Sequence, residues 1–198
     1  FDSTVLPYGD AQALRVHLEK HAHTTAGVIM EPLVQGAAGM VFSSVEYLRE
    51  CSEICREFGV YFLLDEVMTG WGRTGTLFAC EQAGITPDIL AASKGITGGT
   101  LPLGITTCSP GIYEAFLGNQ KTEAFLHGHS YTGNPIACAA SLAALSLYEE
   151  EGTLQRIAGI ESQYSAAAPM FSGLDGVENV RQRGDIFALE LTRGMGGY

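Results

Sequence analysis

The chain has 198 residues, of which 46% are hydrophobic and 17% charged, and its formal net charge is −11. An acidic surplus argues against binding to nucleic acid or to anionic membranes, because both require basic patches. No apolar run is long enough to cross a bilayer, and the first residues lack the basic segment of a secretory signal, so we expect a globular chain in the cytoplasm.

The first third of the chain alternates helices with apolar strands. The pattern predicts a helix over 10–23, a buried strand over 27–30, a loop over 35–39, a helix over 45–58 and a strand over 60–64. Ser43 or Ser44 can cap the second helix at its start, and Gly59 can end it. Near-continuous apolar strands separated by a helix favour a parallel sheet that is covered on both faces.

Two polar residues follow predicted strands. Asp65 comes directly after the strand over 60–64, and Lys94 lies just past an apolar run over 89–92. Ligands of parallel α/β sheets bind beyond the carboxyl ends of the strands. A desolvated lysine there loses its proton readily and can form a Schiff base with a carbonyl. We therefore expect Lys94 and Asp65 to form one cofactor site, although Lys94 alone also fits a solvated loop lysine.

The rest of the chain divides near residue 151. The pattern predicts a glycine-rich loop over 69–76, a helical turn over 78–83, a strand over 103–108, and helices over 110–116 and 136–149. Beyond these, a solvated helix over 154–171 precedes two short strands over 177–183 and 186–191. We expect residues 1–151 to be part of a larger domain. Residues 152–198 begin a smaller one, within which the chain stops.

A turn with hydroxyl side chains precedes the helix over 136–149. Asn134 is a favourable N-cap, and Pro135 is a favourable first helical residue. The hydroxyls and free backbone amides before them can hold a phosphate. An ordinary capped turn fits the same residues.

Neither the cysteines nor the histidines have the spacing of a disulfide framework or a metal site. Cys51 and Cys55 share a helix face, and His127 and His129 could point the same way, but no third ligand stands beside either pair. Free cysteine usually packs as a small hydrophobe. We expect no bound metal and a reducing compartment.

Together these segments resemble the class III, or ω-type, pyridoxal-phosphate aminotransferases. The matching runs are Leu63-Leu64-Asp65-Glu66-Val67, Thr69-Gly70, Gly72-Arg73-Thr74-Gly75, Pro87-Asp88 and Ser93-Lys94, with the lysine 29 positions after the aspartate. Three further runs are similar to the branch that makes 7,8-diaminononanoate for biotin synthesis. They cover residues 94–99, 127–135 and 183–191.

The resemblance implies an α/β fold of the fold-type I pyridoxal-phosphate transferases, with part of the large domain and the start of the small one. It assigns Lys94 to the bond with the cofactor and to proton transfer, and Asp65 to the ring nitrogen. It places His129 and Ser130 at the cofactor phosphate, reached from the partner subunit of a homodimer, and Gly128 at the substrate. The implied reaction is amino transfer to 8-amino-7-oxononanoate, from S-adenosylmethionine or, in some relatives, from lysine.

The chain departs from this family in sequence and in length. Met68 stands where several relatives carry a glutamine near the cofactor oxygen, which disfavours ornithine and 4-aminobutyrate specificity, and Trp71 replaces a phenylalanine. Family members are much longer. We therefore expect a fragment without the aromatic residue that stacks on the ring or the arginine for the substrate carboxylate, so that activity belongs to the complete protein.

Three other functions fit part of these features. A class III aminotransferase acting on ω-amino acids and pyruvate would use the same residues, and a non-catalytic fragment could keep only a dimerising surface. The strand ending in Asp65-Glu66 is also typical of the magnesium-binding strand of P-loop ATPases. Against the last, the sequence contains no Gly-x-x-x-x-Gly-Lys-Ser/Thr loop.

Overall fold

A computed structural model of the chain describes residues 2–192. Its helices are α1 (Ala11–His21), α2 (Val45–Phe58), α3 (Cys80–Ala83), α4 (Pro110–Glu114), α5 (Pro135–Glu150) and α6 (Thr153–Ser172). Its strands are β1 (Gly27–Met30), β2 (Val34–Gln35), β3 (Val41–Phe42), β4 (Tyr61–Asp65), β5 (Ile89–Ala92), β6 (Ile105–Cys108), β7 (Val177–Arg183) and β8 (Ile186–Leu191). Single 3₁₀ turns cover Ala22–Thr24, Lys94–Thr97 and Lys121–Glu123.

The central sheet has the strand order β1-β4-β5-β6. Strands β1, β4 and β5 are parallel, and β6 is antiparallel to β5. Asp65 pairs with Ala91, so β4 and β5 end at the same edge of the sheet. The prediction of a mostly parallel sheet is confirmed.

The two faces of this sheet are covered unequally within residues 2–192, and the less covered one is called the open face. Phe62 and Leu64 of β4 are buried in one core with side chains of α1 and α2. On the opposite face, Ile29 and Tyr61 are 68% and 53% exposed. The expectation of a sheet covered on both faces is therefore not met at Ile29 and Tyr61, whereas Leu63 and Asp65 on the same face are half-buried.

Local sequence signals place the ends of the main helices. Ser44 accepts a hydrogen bond from the Tyr47 amide at the start of α2, and Gly59 ends that helix in the left-handed conformation. Asn134 caps α5 by accepting from the first free amides. One local prediction is wrong, since Gln35 belongs to the short hairpin β2–β3 rather than to a loop.

The cysteines of α2 belong to the core. All five cysteines are free, and Cys51, Cys55 and Cys80 are buried. Burial raises the pKa of the Cys55 thiol to about 12 and that of Cys51 to about 11. Both thiols therefore stay protonated at neutral pH and act as small hydrophobic groups, as expected.

Neither a metal cluster nor a membrane span is found in the part of the chain that the structure describes. No three His, Cys, Asp or Glu side chains of residues 2–192 lie together as metal ligands would. None of the helices in this range combines the length and hydrophobicity needed to cross a bilayer.

Replacing Cys55 by alanine is expected to reduce the decrease in the free energy of unfolding that occurs as the pH rises above about 8.5. The thiol ionises above about pH 8.5 in the unfolded chain but only near pH 12 in the fold. Its contribution to stability is thus complete below pH 8.5 and is lost as the pH rises toward 12, by about 1.4 kcal/mol per pH unit. Urea unfolding at pH 8 and pH 10 should show this smaller loss in Cys55→Ala.

The control for this experiment lies beside Cys55 on the same helix. Ile54→Val removes one buried methyl group and no titratable group, so it should cost about 1 kcal/mol equally at both pH values. An unchanged pH dependence in Cys55→Ala would contradict the assignment of a raised thiol pKa.

The turn of the C-terminal hairpin β7–β8 docks on the glycine-rich loop, residues 69–76. Gly184 has φ +57°, and a Cβ placed there would lie 2.5 Å from the carbonyl oxygen of Arg73. The Arg73 guanidinium pairs with Asp185 at 3.0 Å, and the Gly184 amide donates to Glu161 of α6 at 3.0 Å. Residues 177–191 are thereby fixed to the loop that follows β4. The predicted second domain extends to residue 198, and its positions 193–198 lie outside the described residues.

Candidate functional site

Asp65 and Lys94 lie at the carboxyl ends of adjacent parallel strands. Asp65 is the last residue of β4 and pairs with Ala91, and Lys94 follows Ala91 by three residues. Neighbouring strands are ~4.8 Å apart and three residues advance by at most ~10 Å, so the two Cα atoms lie within about 15 Å of each other. The structure thus brings the two principal residues of the predicted site to one edge of the sheet.

The side chains of this pair are available for a ligand. Asp65 is half-buried, and its Oδ1 accepts a hydrogen bond from the Val67 amide at 3.0 Å. It alternates with Phe62 and Leu64 along β4 and so lies on the open face of the sheet. Lys94 is exposed. Within residues 2–192, neither side chain forms an ion pair.

Lys94 has a strained backbone. Its φ is +47°, in the left-handed region that non-glycine residues avoid. Two short hydrogen bonds hold the adjoining chain, from the Ser93 hydroxyl to the Leu103 carbonyl and from the Thr97 hydroxyl to the Leu101 carbonyl, both at 2.6 Å. Such strain costs about 1–3 kcal/mol and persists only where the surroundings impose it, as they commonly do at functional sites.

Glu66 organises the segment after β4. The side chain is fully buried, and its carboxylate accepts hydrogen bonds from the amides of Ala79 and Cys80 and from the Thr69 hydroxyl, at 2.8, 2.9 and 3.2 Å. Burial raises the pKa of this carboxyl, whereas the donors lower it. Both carboxylate oxygens accept hydrogen bonds from the protein. Glu66 therefore has no free oxygen for the magnesium ion that the ATPase alternative requires.

Trp71 and Gly95 form a close contact that sequence reasoning missed. A Cβ on Gly95 would lie 2.6 Å from the Cβ of Trp71, so the tryptophan side chain lies directly on the backbone next to Lys94. The replacement of phenylalanine by Trp71 was the only signal for it. For Glu66, the signal was an acidic residue between a buried strand and a loop whose amides need acceptors.

The predicted phosphate-binding residues are exposed and lie in a separate turn. Gly128, His129 and Ser130 are all exposed, and no hydrogen bond joins them to Lys94 or Asp65 within residues 2–192. The His129 amide donates to the Thr132 hydroxyl at 3.0 Å, and Asn134 caps the first amides of α5. A phosphate at this turn would therefore depend on the exposed hydroxyls rather than on the amides at the start of the helix.

Comparisons with known proteins agree on one family. The class-III aminotransferase family matches residues 8–195. The adenosylmethionine-8-amino-7-oxononanoate aminotransferase of Nitratidesulfovibrio vulgaris is 44% identical over 185 residues, which is 92% of this chain and 33% of that protein. The enzyme of the same name from Geobacter sulfurreducens is 43% identical, over 89% of this chain and 39% of that protein.

Solved structures give the same result. The structure of adenosylmethionine-8-amino-7-oxononanoate aminotransferase from Methanocaldococcus jannaschii superposes with a TM-score of 0.88 at 37% identity, over 94% of this chain and 44% of that one. An ornithine aminotransferase from Toxoplasma gondii gives 0.84 at 27% identity, over 95% of this chain and 42% of that one. The chain therefore spans less than half the length of these relatives.

The predicted architecture is confirmed by these neighbours. They are pyridoxal-phosphate-dependent aminotransferases, and the mostly parallel sheet corresponds to the large domain of fold type I. The family match covers most of the sequence and includes Asp65, Lys94 and the 127–135 turn. On these grounds, the chain belongs to the class-III aminotransferase family.

Proposed function

We propose that this chain carries the cofactor-binding part of a transaminase that converts 8-amino-7-oxononanoate to 7,8-diaminononanoate, with S-adenosylmethionine as amino donor. The observation that carries this proposal is the placement of Asp65 and Lys94, without ion-pair partners, at adjacent strand ends. The names of the relatives from N. vulgaris and G. sulfurreducens support the choice of substrate and donor.

The residues present fit pyridoxal phosphate, the cofactor of this family. A primary amine without an ion-pair partner suits its aldehyde, and a carboxylate on the open sheet face suits its ring nitrogen. When bound, pyridoxal phosphate supplies an electron-withdrawing ring that stabilises negative charge on the substrate carbon.

Each of the two principal residues then has a defined task. The Asp65 carboxylate holds the proton on the ring nitrogen, and this pairing also offsets the cost of a desolvated carboxylate. Nζ of Lys94 would take a proton from the substrate carbon as general base and deliver it to the cofactor as general acid, which is the proton transfer that amino transfer requires.

The remaining predicted residues act at the edges of the site. In this proposal His129 and Ser130 hold the cofactor phosphate from the partner subunit of a homodimer, and Gly128 contacts the substrate. Their exposure, and the lack of hydrogen bonds between them and Lys94 or Asp65, are consistent with a role across a subunit interface. Residues 152–198 begin the smaller domain, which the packing of α6 on β7 supports. The free cysteines are consistent with the cytoplasm.

The amino donor is tested on the complete protein loaded with pyridoxal phosphate. Adding S-adenosylmethionine should bleach the visible absorbance band, and subsequent addition of 8-amino-7-oxononanoate should restore it with formation of 7,8-diaminononanoate, detected by mass spectrometry. A band that responds to ω-amino acids and pyruvate alone would instead support the alternative transaminase. Protein that stays colourless with added cofactor would contradict both.

A further inference from the structure

We propose that Trp71 is a positioning residue for Lys94. The tryptophan side chain supports the backbone of Gly95 and so holds Lys94 in its left-handed conformation, and Glu66 fixes the loop from which Trp71 projects. This inference rests on the proposed function, since it concerns how the lysine is presented to the cofactor.

The contact between Trp71 and Gly95 leaves no room for adjustment. A Cβ on Gly95 would lie 2.6, 2.9 and 3.0 Å from Cβ, Cγ and Cδ1 of Trp71. Trp71 is only 7% exposed, and its ring packs at 5.2 Å from Phe78 and 6.5 Å from Tyr148 between ring centroids. The Tyr148 hydroxyl donates to the Trp71 carbonyl. Trp71 is therefore held from several sides and acts as a rigid support.

The loop that carries Trp71 is fixed at both of its ends. Glu66 binds the amides of Ala79 and Cys80 beyond the loop, and its own carbonyl accepts from the Gly70 amide at 3.0 Å. Trp71 itself has φ +62°. A bulky residue keeps this conformation only where its neighbours impose it. The buried carboxylate of Glu66 is the polar group that closes this segment.

The strain at Lys94 needs opposing supports. The hydroxyls of Ser93 and Thr97 tie the turn to the chain at Leu103 and Leu101, and Trp71 supports the same turn at Gly95. Removing Trp71 would let Lys94 relax toward an ordinary conformation. Its amine would then move relative to Asp65, which stays fixed in β4.

The experiment uses the complete protein loaded with pyridoxal phosphate and a mutant cycle. Its readouts are the pH midpoint of the visible absorbance band, which reports the nitrogen of Lys94, and the fraction of cofactor lost on dialysis. Trp71→Ala should shift the midpoint by about half a pH unit or more, because the Lys94 nitrogen moves relative to the Asp65 charge. It should also speed cofactor loss several-fold. Gly95→Ala should do the same, because its new methyl group collides with Trp71.

The double variant makes the cycle diagnostic. The cycle pairs Gly95→Ala with Trp71→Gly, because glycine removes Cβ, the closest atom to the new methyl group, as well as the ring. In Trp71→Gly/Gly95→Ala the collision is gone, so Gly95→Ala should add nothing to Trp71→Gly. Trp71→Phe keeps an aromatic ring and should shift the midpoint in the same direction by a smaller amount, which preserves the test if Trp71→Ala does not fold. Additive shifts in the double variant would overturn the proposal.

Matched controls separate positioning from general destabilisation. Ile54→Val lowers thermal stability by a change on α2, outside the loop and the turn, and should leave the midpoint unchanged. Glu66→Gln should shift it, whereas Glu81→Gln, which changes an exposed carboxylate on α3, should not. A midpoint and a cofactor retention that stay at wild-type values in Trp71→Ala and Trp71→Phe would also overturn the proposal. A wild-type protein without the band would instead contradict the proposed function, and this inference with it.

Discussion

Lys94→Ala in the complete protein is expected to remove the cofactor absorbance band and to lower transaminase activity by more than about 10³-fold, because one amine both binds the cofactor and transfers the proton. The amine lies at the carboxyl end of β5, where no ion pair with residues 2–192 competes for it. Absorbance spectra and initial rates with S-adenosylmethionine measure the two losses separately.

Two further variants show that the effect belongs to this lysine. Lys20→Ala removes an exposed lysine from the last turn of α1 and should leave both band and rate unchanged. Lys94→Arg keeps the positive charge, but a guanidinium stays protonated and cannot form the bond, so it should be as inactive as Lys94→Ala. A band that survives in Lys94→Ala would contradict the assignment of the cofactor to this residue.

The parts of the fold that could be predicted from sequence depend on local signals. The caps at Ser44 and Gly59 set the bounds of α2, and the apolar runs before Asp65 and Lys94 become β4 and β5. A strand–helix–strand order implies a parallel pair, and a parallel pair brings both strand ends to one edge. The sequence alone therefore predicts that Asp65 and Lys94 lie at one edge of the sheet.

The parts that escaped prediction depend on contacts between distant segments. Arg73 and Asp185 are 112 positions apart, and nothing near either residue indicates the other. The approach of Trp71 to Gly95 likewise depends on how the glycine-rich loop folds back over the end of β5. The exposure of Ile29 on the open face could not be predicted for a different reason. An apolar run indicates that a strand will be buried but not which segment will cover it.

Gly184→Ala is expected to destabilise the protein by about 2–5 kcal/mol, the sum of about 1–2 kcal/mol for an alanine at positive φ and about 1–3 kcal/mol for overpacking. The added methyl group would lie 2.5 to 2.6 Å from the backbone of residues 73–75. These are main-chain atoms, so they cannot move aside as a flexible side chain would. Urea unfolding of the complete protein measures the change in the free energy of unfolding.

The control that separates conformation from collision is Gly59→Ala. Gly59 has φ +68°, similar to the +57° of Gly184, but a Cβ there would meet nothing within 4 Å. Gly59→Ala should therefore cost only about 1–2 kcal/mol. Arg73→Ala removes the ion pair with Asp185, whose side chain is only 20% exposed, and should cost about 1–2 kcal/mol. Equal losses in Gly184→Ala and Gly59→Ala would contradict the close docking of the hairpin.

Gly184→Ala also tests whether the hairpin β7–β8 supports the candidate site. The backbone that Gly184 approaches is continuous with Trp71, two residues before Arg73, and Trp71 supports the turn at Lys94. If the hairpin undocks, this loop loses the Arg73–Asp185 pair and the hydrogen bond from the Asp185 amide to the Arg73 carbonyl. Gly184→Ala should therefore also speed cofactor loss on dialysis, whereas Gly59→Ala should not. Unchanged cofactor retention in a destabilised Gly184→Ala protein would mean that the hairpin stabilises the fold without supporting Lys94.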